Sequence, residues 1–130
     1  MRTVDELLRA VRREAERAEF PIDEPVYQRA RRDPHDPILF AGAFDAPHCS
    51  IGRDLGGDEV LAGEPQIGAA GRQVCAGFYR AATGSDPPAT DRRLEPALKR
   101  VLLTNTVPYK PPGNRAYPDR VRERFRPFLA

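Results

Sequence analysis

Six of the chain's ten glycines fall between Gly52 and Arg72, in the stretch GRDLGGDEVLAGEPQIGAAGR. Glycine permits tight turns and close approach of other groups to the backbone. Gly52, Gly56, Gly57, Gly63, Gly68 and Gly71 therefore read as one long loop that turns into a helix after Gly68. That helix carries Val74, Phe78 and Ala82 on one face. Before the loop, His48-Cys49-Ser50-Ile51 reads as a short buried strand ending at Gly52. Two acids, Asp54 and Glu59, lie inside the loop, with Pro65 near its middle.

The flanking chain repeats the strand–loop–helix order. Val101 to Val107 is the best strand pattern, followed by Pro108 and YKPPGNRAYP. Pro118 opens a last helix, with Val121 and Phe125 inward, Arg120, Arg122 and Arg124 outward, and Pro127 as its limit. Leu94, Leu98, Val101 and Leu102 suggest a short helical piece, against which Pro96 argues. Thr83 to Thr90 reads as a loop, and Asp45-Ala46-Pro47 as a turn after the apolar run Ile38-Leu39-Phe40. At the start, Thr3-Val4-Asp5-Glu6 is a capping box ahead of Leu7, Leu8, Val11, Ala15 and Ala18 at helical spacing. That helix stops at Pro21, and residues 21–37 read as a proline-punctuated loop. Its arginine-rich face is either solvated or set against DNA phosphates. The order of elements predicts an α/β fold, and both motif-rich loops follow the carboxyl end of a strand, where open parallel sheets bind ligands.

A chain of 130 residues holds one domain. Its 21 basic and 19 acidic residues leave a formal charge of +2, too little to indicate nucleic-acid binding by itself. The fourteen prolines imply rigid loops. Cys49 and Cys75 form no C-x-x-C pair and give no metal spacing; they read as two buried thiols of a reducing cytosol. No apolar stretch approaches the roughly 20 residues of a membrane span. The expectation is a soluble, cytoplasmic protein with no membrane partner.

The glycine spacing is not G-x-G-x-x-G, and no G-K-[ST] follows, which counts against dinucleotide binding and phosphoryl transfer. A small nucleotide-binding α/β domain is the weakest reading, because the phosphate-loop lysine is missing. The wider pattern is more specific. Gly52, Asp54, Gly56, Glu59, Gly63, Pro65, Gly68 and Gly71 are followed, one strand later, by TNTVPYKPPGNR (Thr104 to Arg115) and then by RFRPFL. From Ile38 to Leu129 the chain resembles the uracil-DNA glycosylase superfamily, most closely the bacterial branch with GEAPG…E…G-x-P-F-V-G-x-A-G and TN-V-V-K-C-R-P-P-G-N-R. The resemblance implies the N-terminal part of a three-layer α/β/α fold with a mainly parallel central sheet over residues 38–130. Residues 1–37 form an N-terminal helix and loop.

It further implies hydrolysis of the N-glycosidic bond of uracil, or a related damaged base, in DNA, as in base excision repair. The base would be flipped into a pocket at the strand ends. Asp54 stands at the third position of the first motif. It either orients the attacking water and stabilises a cationic sugar, or bonds backbone N–H groups in a turn. Asn105 presents a donor and an acceptor that match uracil O4 and N3–H and reject cytosine; otherwise it caps the turn before Pro108. Gly52, Arg53 and Gln66 complete the uracil-binding set. Lys110, Pro112, Gly113, Asn114 and Arg115 form the DNA-backbone set, with Lys110 and Arg115 neutralising phosphates. Glu59 is expected to bond the loop backbone.

The sequence departs from the branch at four places. Tyr109 and Phe125 replace two cluster cysteines and no C-x-x-C precedes Ile38, so no iron–sulfur cluster or other cofactor is expected, and aromatic packing takes its place. Arg53 replaces a glutamate and either contacts DNA or pairs with an acid. Gln66 replaces a phenylalanine that stacks on the base, and Gly56 gives no bulk against the thymine methyl. The family's late histidine is not matched, since His35 and His48 both precede the first motif. The chain thus reads as truncated, its fold completed by a second polypeptide or left with an uncovered sheet edge. The alternative function is a non-catalytic DNA- or protein-binding remnant of that fold.

Overall fold

The computed structural model of the chain describes residues 3–17, 20–88, 95–113 and 115–129. Helix α1 spans Val4–Arg17, and Thr3 Oγ1 accepts the Glu6 N–H at 3.1 Å, as a helix cap should. It buries Val11 and Ala15; Ala18 lies outside the described residues. The loop expected over residues 21–37 is corrected: it contains helix α2, Glu24–Arg29. Six residues are too few to display a period, and Pro25 sits in the first turn, where no intrahelical N–H is needed. Its purpose in the fold is to bury Tyr27 completely.

Three strands make the sheet: β1 (Phe40–Gly42), β2 (His48–Gly52) and β3 (Val101–Asn105), in the order β1-β3-β2. β3 pairs antiparallel with β1 and parallel with β2. The chain is therefore α/β with a small mixed sheet, in which the longer pairing, β2 with β3, is parallel. β3 is shorter than the expected Val101–Val107, because Val107 leaves the ladder for a separate core and Pro108 follows. β2 is not buried as expected. It is one of the two edge strands, and Cys49 and Ile51 (54% exposed) face solvent while Ser50 alternates to the covered side. Of the two thiols, Cys75 alone is buried, and burial raises its pKa.

Helix α3 (Gly57–Ala62) corrects the single loop expected over Gly52 to Gly68, and α4 (Ala69–Thr83), α5 (Glu95–Leu98) and α6 (Asp119–Phe125) complete the elements used below. From α4, Val74 and Phe78 of the expected face pack, with Cys75 but without Ala82, against Ala97 and Leu98 of α5 and Val101 and Leu103. Pro96 falls in the first turn of α5 and so does not break it; Leu94 lies outside the described residues. A second core joins α1 and α6 around Val107, Tyr109 and Tyr117. There the Tyr109 and Phe125 rings lie 5.7 Å apart, and Phe20 contacts both. Beyond α6 the chain continues through Pro127 as a 3-10 turn, Arg126–Leu129. Arg122 does not point freely outward; its Nε is buried without a hydrogen-bond partner among the described residues. A third cluster, Tyr27, Ile38, Leu55 and Val60, fastens α2 to α3. Among the described residues no helix is long and apolar enough to cross a membrane.

Candidate functional site

β2 and β3 end side by side. Gly52 is paired with Asn105, the Thr106 N–H donates to Gly52 O at 2.9 Å, and Thr106 Oγ1 donates to Arg53 O at 2.7 Å. Both motif loops consequently leave the same end of the sheet, as the sequence predicts. The first loop is held by Glu59, whose two carboxylate oxygens accept the N–H groups of Gly56 and Gly68, each at 3.0 Å. That is the backbone role expected of it. Gly71 admits the returning loop: a Cβ there would lie 2.1 Å from Gln66 O.

The two loops enclose a cleft of about 390 Å³. Arg53, Asp54, Gly56 and Gly68 line it from the first loop, and Lys110, Pro111, Gly113 and Arg115 from the second. The Asp54 carboxylate is largely covered, and both its oxygens are engaged. Oδ2 accepts from Arg53 Nε at 2.8 Å, and Oδ1 accepts from the Tyr117 N–H at a long 3.4 Å. Of the two roles open to Arg53, the structure shows the ion pair, made with its own neighbour. Tyr117 is anchored in turn by its hydroxyl, which donates to Pro21 O at 2.6 Å.

In the DNA-backbone set, Pro112, Gly113 and Arg115 are exposed at the rim, and Gly113 adopts a left-handed φ of 61°. Asn114 lies outside the described residues. Lys110 requires a correction: it is only 7% exposed and does not face solvent. Its Nζ donates to Asp23 Oδ2 at 2.8 Å, to Pro111 O at 2.9 Å and to Gly113 O at 3.1 Å, which uses all three ammonium protons. No donor remains for a phosphate. The hydrogen bond from Lys110, together with its charge, holds the Asp23 carboxyl below the ordinary carboxylate range.

Asn105 does not line the cleft. It is 5% exposed and lies against Gly52, where a Cβ would sit 2.7 Å from its Nδ2. Its Oδ1 is buried and has no hydrogen-bond partner among the described residues. Gln66 flanks the same side of Gly52, in a positive-φ conformation of 56°. Its Nε2 donates to Ser50 O at 2.8 Å and Thr104 O at 3.1 Å, and its Oε1 accepts from Ser50 Oγ at 3.1 Å. The amide cross-ties the two strands rather than lying free to cover a base.

The structure thus brings Asp54, Arg53 and the second-loop turn to one cleft and sets Gln66 and Asn105 behind Gly52. Sequence reasoning missed Asp23, Tyr27 and Tyr117. Asp23 had a signal, an acid immediately before Glu24-Pro25, which is a helix-start signature. No protein-family model matches this chain, and no curated protein matches it.

Proposed function

We propose that the chain is a uracil-DNA glycosylase-like protein that hydrolyses the N-glycosidic bond of uracil, or of a related deaminated base, in DNA. The observation that carries this reading is the shared end of β2 and β3, from which Asp54 and the second-loop turn meet at one cleft. The parallel β2–β3 register supports the reading, because both motif loops bound one end of the sheet. Packing of α4 and α5 on Val101 and Leu103 of the sheet is what one helical layer of a three-layer α/β/α arrangement would do.

In this reaction water attacks the sugar carbon and the C–N bond breaks. Uracil departs with the bonding pair, and the water proton passes to Asp54. Asp54 also stabilises positive charge on the sugar. Arg53, 68% exposed at its side chain, and Arg115 meet the DNA backbone. One observation favours a second reading, a non-catalytic DNA-binding module: both Asp54 oxygens already have protein partners.

The test uses a uracil-containing single strand, followed by alkali. The expected result is cleavage at uracil that is lost in Asp54→Asn. Equal binding to strands with uracil and with thymine, without cleavage, rejects the enzyme and leaves the binding module.

A further inference from the structure

Lys110 is a cation in a core position, and each polar bond it makes runs either to residues 23–27 or to its own turn. Its N–H donates to the Tyr27 hydroxyl oxygen at 2.9 Å, and its carbonyl accepts the Asp23 N–H at 3.0 Å. Its ammonium joins Asp23 Oδ2 to the carbonyls of Pro111 and Gly113. Pro111 and Pro112 have no N–H to donate, so the turn's own backbone has few donors for its carbonyls. The ammonium supplies the convergent donors that the turn's own backbone lacks.

Stability alone does not explain the choice of residue. A buried ion pair is often replaced by well-packed apolar side chains without loss of stability, because desolvation offsets much of the attraction. An apolar side chain could not turn two carbonyls inward. We infer that Lys110 is a positioning residue, locked by Asp23 and Tyr27, that sets the Pro111–Gly113 turn and so aims Arg115 and the cleft rim at the substrate. Residues 23–29 then belong to the site, although they lie about eighty residues from its second loop in sequence. The consequence for DNA binding rests on the proposed function; the consequence for the turn does not.

The double variant Lys110→Met/Asp23→Leu removes the pair without stranding a charge, and a thermal melt first confirms that it is folded. Two quantities are then read: amide exchange at Gly113 and Arg115, and affinity for a uracil-containing strand. Exchange at the turn is expected to rise about tenfold, and affinity to fall about tenfold, from loss of a charge-assisted bond. Lys110→Arg is the second variant. It keeps the charge beside Asp23, but its planar fork cannot converge on both carbonyls, so the turn loosens there as well. Wild-type protection at Gly113 and Arg115 in either folded variant overturns the lock. Wild-type protein that fails to prefer uracil overturns the proposed function instead, and the exchange result still decides the role of Lys110.

Discussion

Asn105 holds a carbonyl oxygen away from water and from every described protein donor, in a chain with a modest core. Replacing it by a shape-matched apolar residue tests whether that oxygen is kept for a ligand. Asn105→Leu is expected to leave stability unchanged or raise it by about 1 kcal/mol, since the unpaired group is removed. Cleavage at uracil is expected to vanish. Thermal melting and the strand-cleavage assay read the two effects, and a variant that loses stability while retaining activity contradicts the assignment. The place of Asp54 at the cleft was legible in the sequence, because it stands where a strand pattern meets a loop; the packing of Asn105 behind Gly52, off the cleft, was not. Lys110 was misread as a surface cation. A lysine in a proline-rich loop is ordinarily solvated, and the Asp23 carboxylate, 87 residues away, with the Pro111 and Gly113 carbonyls makes its burial tolerable.

Helix α4 shows how one residue type takes opposite roles within an element. Gly77 has open space where a Cβ would go, while at Gly71 that atom would lie 2.1 Å from Gln66 O. Gly77→Ala is expected to stabilise the protein by about 0.5–1 kcal/mol through helix propensity. Gly71→Ala is expected to destabilise it by about 2 kcal/mol, as overpacking does, and to displace the loop that carries Gln66. Denaturant melts of the two variants should move in opposite directions. The amphipathic helices α1, α4 and α6 were readable from spacing because each repeats its apolar face. α2 and β1 were not, being six and three residues long. β2 was recognised as a strand but given the wrong environment. An apolar run predicts extended backbone, whereas burial depends on neighbours on both sides, and the order β1-β3-β2 leaves β2 at an edge.

For the whole molecule, buried and paired titratable groups limit stability at both ends of the pH scale. Asp23 and Asp33 are held below the ordinary carboxylate value of 3.8, the first by Lys110 and the second by the His35 N–H and Arg12. Their native pKa values lie under their unfolded ones, so their contribution is present above pH 3.8 and is lost as pH falls through the native values. Burial pushes the Tyr27 phenol up to about 12 and raises Tyr109 and Tyr117 as well. For these, the stabilisation holds below the unfolded value of 10.0 and is lost as pH rises past it. Melting temperature should be flat between these limits and fall outside them, with Asp23→Asn flattening the acid limb. Tyrosinate absorbance should appear, for these three residues, only as the protein unfolds. The sequence by itself determined the periodic helices, the central strand and the placement of two loops after strand ends, because period and turn chemistry act over a few neighbouring residues. The tertiary structure alone decided that β2 lies at an edge, that Gln66 ties strands, that Arg53 pairs with Asp54 and that Lys110 is a buried organiser. Each of those depends on what a side chain meets across the fold, and local pattern carries no record of the partner.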